Sequence, residues 1–207
     1  CSDSWIAICH SKEIVCMNGT YENIDCMELM ANLKDKEIDL AIVDPPYGLG
    51  NKLKPRGGMI GNTFNRSFEW DQVSPNKEYF SELFRVSKNQ IIWGGNYFIE
   101  NLFSTQCFLI WDKMNGTNPM ADCEQAWTSF KNKVSGMFRM HHFSNGYDSK
   151  IHPTQKPVKL YEWLLTNYAK PNDLILDTHC GSASSLIACE NLGFKYIASE
   201  LDKDYYS

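Results

Sequence analysis

The 207 residues, 43% hydrophobic and 13% aromatic, can bury one core of ordinary domain size and are too apolar for a disordered chain. The formal charge of -5, from 20 basic and 25 acidic residues, excludes a histone-like positive coat, and no apolar run reaches the length of a membrane-spanning helix. The charge is uneven. Residues 1–44 hold nine acids and three bases, whereas 45–68 hold four bases (Lys52, Lys54, Arg56, Arg66) and no acid.

In chain order, Cys26 to Leu33 carries Met27, Met30 and Ala31 at helical spacing, and the apolar run Ile38 to Val43 reads as a buried strand. Lys77 to Val86 is a second helix, with Tyr79, Phe80, Leu83 and Phe84 on one face. Ile91–Trp93 and Cys107–Trp111 read as strands, and Glu124 to Phe130 as a further one at an edge. Pro157 opens a helix whose buried stripe is Val158, Tyr161, Leu165 and Tyr168. Leu174–Asp177 is a strand that runs through a small-residue turn into a helix ending at Gly193, and Lys195–Ser199 is the next strand. Strands alternating with helices predict an α/β domain around a mostly parallel sheet, one unit over 1–207. Two stretches, 48–74 and about 131–151, show no regular pattern, and segments of that length are usually functional.

Eight cysteines stand at 1, 9, 16, 26, 107, 123, 180 and 189, none in a C-x-x-C pair. That spacing supports neither a zinc site nor a redox dithiol, so no metal is expected. They read as reduced thiols in a reducing compartment, with cytoplasmic localisation and no membrane partner expected.

Two segments carry chemistry. From Asp177 to Glu200 the order is strand, small-residue turn with Gly181 and Ser182, helix, strand and terminal acid, which is a nucleotide-binding βαβ arrangement. Glu200 stands where such an acid reaches ribose hydroxyls, and the single glycine suits one nucleoside rather than a dinucleotide. A plain βαβ packing unit would look similar. The second segment is Asp44-Pro45-Pro46-Tyr47, directly after a strand. Its prolines have no N–H and hold the preceding residues extended, so its edge offers acceptors only. A carboxylate, free carbonyls and an aromatic face suit an exocyclic NH₂ on a flat ring, although prolines also simply end strands.

At this point the chain resembles the beta-class S-adenosylmethionine-dependent amino-DNA methyltransferases, phage-type modification methylases in particular. The resemblance rests on DPPY at 44–47 preceding DTHCGSAS at 177–184, with Asn23–Cys26, Ile92–Phe98, Trp111–Lys113, Ala121–Glu124 and HPTQKP at 152–157 in the expected order. It implies a Rossmann-like methyltransferase fold in one domain, with circularly permuted motif order. It implies Asp44, Pro45, Pro46 and Tyr47 as the catalytic group, and S-adenosylmethionine as cofactor. Asp177, Gly181 and Ser182 would line the methionine and ribose end, Glu200 would hold the ribose, and Asp25 with Cys26 would meet the adenine. Thr154 and Lys156 would contact the methionine end, Lys156 through the cofactor carboxylate. Many members of the family have Pro, an aromatic and Gly where this chain has Thr178, His179 and Ala183, which implies altered packing there. His179 reads as hydrogen-bonded packing rather than a base or ligand.

The activity implied is site-specific methylation of adenine N6 in a base flipped out of double-stranded DNA, as part of restriction-modification in a bacterium or its phage. An Asp at the first motif position accompanies adenine more often than cytosine. Cytosine N4 remains the alternative, as does a catalytically silent DNA-binding or regulatory protein. A nicotinamide oxidoreductase fits the turn and DPPY poorly. Lys52, Lys54, Arg56, Arg66, Lys131, Lys133, Arg139 and Lys150 are the expected phosphate contacts. With no room for a large recognition domain, the two irregular segments would read the site, with or without a second copy of the chain.

Overall fold

The computed structural model describes residues 18–49, 73–116, 121–141 and 155–206. Within them the strands are β1 (Gly19–Glu22), β2 (Ile38–Val43), β3 (Ser87–Trp93), β4 (Phe108–Asp112), β5 (Cys123–Thr128), β6 (Gly136–Arg139), β7 (Leu174–Asp177) and β8 (Lys195–Ser199). The helices are α1 (Cys26–Ala31), α2 (Lys77–Val86), α3 (Val158–Tyr168), α4 (Ser184–Leu192) and the short α5 (Lys203–Tyr206).

The strands form one sheet in the order β1-β8-β7-β2-β3-β5-β4-β6. Every pairing is parallel except those of β5, which runs against both β3 and β4. Period-two alternation divides the strand side chains between two layers. Leu40 and Ile42 of β2 face a core shared with Leu160, Leu164 and Leu165 of α3 and Leu186 and Ala188 of α4. Ala41 and Val43 face the opposite core, with Leu29 and Met30 of α1 and Tyr79, Phe80 and Leu83 of α2. Helices therefore cover both faces, as the apolar run of β2 requires.

Local caps start the helices where they do. The Asp25 carboxylate accepts the Met27 N–H at 2.8 Å, and the Asn76 carbonyl accepts the Tyr79 N–H at 3.1 Å. Arg85, at the end of α2, bonds Glu82, Asp35 and the carbonyls of Met30 and Leu33, tying α2 to the end of α1.

Three expectations need correction. β5 is interior rather than an edge: Ala126, Trp127 and Thr128 are buried between β3 and β4. Its polar start resembles an edge because Glu124 is matched by buried charge, a partnership that periodicity cannot express. On that side of the sheet the outermost described strand is β6, inside a stretch expected to be irregular; its four residues alternate in exposure and are too few to signal a strand. On α3 the buried stripe is Leu160, Tyr161, Leu164 and Leu165, with Val158 and Tyr168 only partly covered.

Chain order reverses between β2 and β7. β2 leads through α2 to β3 on one side, and β7 leads through α4 to β8 on the other. A crevice opens at the carboxyl ends of strands at such a point, and ligands of open α/β sheets bind there.

Candidate functional site

A cavity of about 410 Å³ occupies this crevice. It is walled by the segments that leave β1 (Ile24, Asp25, Cys26), β2 (Asp44, Pro46), β7 (Thr178 to Ser182) and β8 (Glu200 to Asp202), and by Gln155, Lys156, Tyr161 and Tyr205. The volume lies in the range of small-molecule sites.

At the β7–β8 end the site is built on backbone. Gly181 and Ala183 both have left-handed backbone, with φ of 52° and 55°, and the turn aims the Gly181 N–H at Glu200 Oε2, 2.8 Å away. The Asp202 N–H donates to Glu200 Oε1 at 2.9 Å, so two amides orient this carboxylate, and burial raises its pKa. Ala183 stands where the family often has glycine, and its positive φ shows what that glycine would relieve.

Asp177 does not line the cavity but sits beneath it. It accepts the Ser185 hydroxyl on Oδ2 and the His179 N–H on Oδ1 at 3.0 Å, and burial pushes its pKa up to about 7. The His179 Nδ1 lies 2.9 Å from Thr178 Oγ1, and its ring meets the edge of Tyr79. Burial lowers its pKa to about 4, so the ring is neutral packing. Cys26, Cys107, Cys123, Cys180 and Cys189 are all free thiols, and burial lifts Cys26 to about 11. Among the described residues no group of three His, Cys, Asp or Glu is arranged for a metal.

At the β2 end the site is built on side chains. The Tyr47 hydroxyl donates to Asp44 Oδ1 at 2.7 Å. The Tyr47 ring stacks on half-exposed Tyr97, with centroids 4.8 Å apart and planes 17° from parallel, while Phe98 meets it edge-on. The glycine pair after β3 makes this possible. A Cβ on Gly94 would fall 2.2 Å from the Tyr47 ring, and one on Gly95 would fall 2.4 Å from the Trp127 Cβ. Asp44 and Pro46 line the cavity, and Pro45 and Tyr47 flank them in the chain.

Lys156 also lines the cavity, and its ammonium is met by two carboxylates of the chain itself. It contacts Asp44 Oδ2 and lies 3.1 Å from Glu124 Oε2, and the Trp93 ring is 5.3 Å away. Lys113 pairs with the other oxygen of Glu124 at 2.5 Å. The two ammonium groups hold the Glu124 carboxyl down at about 2 against its burial.

The remaining expected residues separate. Lys131 and Lys133 precede β6, at the amino end of the strand and so at the end of the sheet opposite Asp44. The Lys133 Nζ donates to the Asn167 carbonyl near the end of α3 at 2.5 Å. Arg139 ends β6 at the same carboxyl end of the sheet as Asp44, pairs with Asp112 at 3.2 Å, and is mostly exposed. Thr154, Lys52, Lys54, Arg56, Arg66 and Lys150 lie outside the described residues. Two contributors escaped sequence reading. Tyr161 looked like core and yet lines the cavity, and Glu124 gathers both lysines. The one available signal was a hydroxyl and a carboxylate on otherwise apolar segments.

Comparison with known proteins gives concordant findings. The family model described as DNA methylase matches residues 92–207, more than half of the chain; the tetrapeptide at 44–47 lies outside that match. Type II methyltransferase M2.LlaDCHI of Lactococcus lactis subsp. cremoris is 25% identical over 91% of this chain and 86% of its own length. Type II methyltransferase M.HpaI of Haemophilus parainfluenzae is 25% identical over 94% of this chain and 71% of its own. Among solved structures, M1.HpyAVI in complex with SAM superposes with a TM-score of 0.62 at 22% identity, covering 91% of this chain and 95% of the other. The cytosine-N4-specific PvuII DNA methyltransferase gives 0.61 at 18% identity, covering 91% and 84%. At these identities the superpositions speak to the fold alone.

Proposed function

The chain belongs to the DNA methylase family, and from that premise we propose that it transfers a methyl group from S-adenosylmethionine to the N6 amine of an adenine in DNA. The observation that carries the reading is the position of Asp44. Its carboxylate stands at the wall of the switch-point cavity, at the head of a tetrapeptide whose prolines offer no N–H.

The residues present fit the cofactor. Glu200 is held by two amides with its carboxylate on the cavity, suited to a pair of ribose hydroxyls. Ile24, Cys26 and Leu201 offer apolar contact for a purine, and Asp25 and Asp202 offer acceptors beside them. When bound, the cofactor supplies an electrophilic methyl on a sulfonium.

The chain's own residues then prepare the amine. Its lone pair is delocalised into the ring and is a poor nucleophile. Asp44 and the Pro45 carbonyl each accept one N–H, which favours a more tetrahedral nitrogen; this is electrostatic positioning. The base must leave the duplex to reach them. The Tyr47–Tyr97 pair is the aromatic platform at that wall, and base stacking of this kind contributes about 1–3 kcal/mol. Phosphate contacts are assigned to 48–74, which overlaps the acid-free run over 45–68, and to Arg139 at the same carboxyl end of the sheet as Asp44. Lys131 and Lys133, at the opposite end, are left out of that surface.

Cytosine N4 is the second reading, favoured by the likeness to the cytosine-N4-specific PvuII enzyme. The Asp at the head of the tetrapeptide favours adenine through the family resemblance. Mass spectrometry of nucleosides from DNA incubated with the protein and S-adenosylmethionine distinguishes them. N6-methyladenine supports the proposal, N4-methylcytosine replaces the base assignment, and no methylated nucleoside defeats it.

A further inference from the structure

We propose that Lys156 is a positioning residue for Asp44 and not the partner of the cofactor's carboxylate. It is the inner cation of an alternating row, Lys113–Glu124–Lys156–Asp44, that clamps one oxygen of Asp44 and leaves the other to exchange between Tyr47 and the target amine. The proposal rests on the reading of Asp44 as the acceptor of that amine.

The row draws on four separate parts of the chain: the end of β4, the start of β5, the segment before α3 and the end of β2. The Lys156 side chain is 2% exposed, and that of Asp44 is 18% exposed. A buried ammonium is tolerated only where anions meet it. Here two carboxylates and the Trp93 ring surround it, leaving a cofactor carboxylate to displace one of them. Charges alternate along the row and sum to zero, so each buried ion has an opposite neighbour. Removing Lys156 would leave Asp44 and Glu124 as two partly buried anions with no cation between them, Lys113 standing only on the far side of Glu124.

The two oxygens of Asp44 have different partners. Oδ2 meets an ammonium anchored on its far side by Glu124, which is itself held by Lys113. Oδ1 meets the neutral Tyr47 hydroxyl, which no ion pair backs. An ion pair backed by a second ion pair is the harder partner to displace. The exchangeable position is therefore Oδ1. A base amine arriving there replaces one neutral donor with another, while Lys156 keeps the carboxylate fixed in its plane. The Tyr47 hydroxyl so holds the place of the substrate N–H.

The test separates rate from cofactor affinity. Lys156→Met should slow methyl transfer at saturating S-adenosylmethionine on the order of 100-fold, as loss of reactant positioning does, with the cofactor Kd by calorimetry unchanged. The ratio of affinities for S-adenosylmethionine and its carboxyl methyl ester should be the same in wild type and variant. Glu124→Gln keeps the shape of the row and guards against a Lys156 variant that fails to fold; it should slow transfer less, again with Kd unchanged. A Lys156→Met protein with wild-type rate at saturation would overturn the proposal. So would an ester discrimination that vanishes in that variant, or wild-type transfer by Glu124→Gln. Absence of methyl transfer by the unmodified chain would instead overturn the function on which the proposal rests.

Discussion

The two ends of the cavity are held by different forces. At the β7–β8 end, Glu200 is fixed by the amides of Gly181 and Asp202, through a turn whose conformation is set within a few residues. At the β2 end, Asp44 is fixed by Lys156 and Tyr47, and through Lys156 by Glu124 and Lys113. Backbone hydrogen bonds come with the fold and tolerate neighbouring substitutions. A row of charges built around a buried lysine stands or falls together, because losing one member leaves another uncompensated. The difference teaches where each function resides: ligand holding on the frame, reactivity on side chains that depend on one another.

The sharpest way to break this contrast is at Asp44. Asp44→Asn should lower methyl transfer on the order of 100- to 1000-fold, as loss of one preorganised group in a reaction site does, while S-adenosylmethionine binding by calorimetry is retained. It should also destabilise the fold, since Lys156 keeps only Glu124 as an anion; a denaturant midpoint equal to wild type would show that the row is not coupled. Glu200→Ala attacks the other end. It should weaken cofactor binding by about 1–3 kcal/mol, through loss of charged hydrogen bonds, with the transfer rate at saturation little altered. An unchanged Kd would remove Glu200 from the ribose.

A pH experiment sharpens the comparison further. Asp177 has its folded pKa raised to about 7 from an ordinary 3.8, so the native state binds the extra proton between those values and this group adds stability as pH falls through that window. His179 is lowered to about 4 from 6.5, so the unfolded state binds the extra proton and this group removes stability as pH falls from 6.5 to 4. The two slopes oppose each other in wild type. His179→Gln should therefore make stability rise more steeply, or fall less, on acidification from pH 6.5 to 4, measured as denaturant midpoints. Parallel profiles would mean that the histidine is not held neutral. The smallest expected effect is at Ala183. Ala183→Gly relieves a left-handed residue, by roughly 1–2 kcal/mol, but loses a buried methyl worth about 0.8 kcal/mol and adds unfolded-state entropy. A change in thermal midpoint of a few degrees or less is expected, and a large loss would assign the methyl a packing role beyond its area.

Much of the frame was readable from residues alone. Ile38–Val43, Leu174–Asp177 and Lys195–Ser199 are apolar runs closed by Asp44, by Asp177 and by Glu200, and helical spacing marked α1, α2, α3 and α4. The Gly181 turn and Glu200 were readable because their partnership spans one βαβ unit. What periodicity does not express is which strand ends become neighbours. That Lys156 meets Asp44 and Glu124 follows from β5 being inserted against β3, and its motif position pointed instead to the cofactor. β3 begins four residues before its apolar core because buried Ser87 and Gln90 satisfy each other, at 2.9 Å, and read as polar loop. Lys131 and Lys133 were grouped with the phosphate contacts on charge alone, and direction along β6 separates them from Arg139.

The reversal of strand order at the crevice also governs when the site can come into being. The strands on either side of it, β2 and β7, are joined by a Leu174 N–H to Asp39 bond that spans 135 residues, and the Asn23 contact to the Glu200 carbonyl spans 177. Loops of that length must close before these contacts repay their entropy, so these pairings form late in folding. A chain emerging from the ribosome can complete β2 and β3 and still lack the wall that bears Glu200, which follows both in sequence. The acceptor at Asp44 is synthesised well before the segment that bears Glu200, so full ligand affinity appears only once the chain has been made through Glu200.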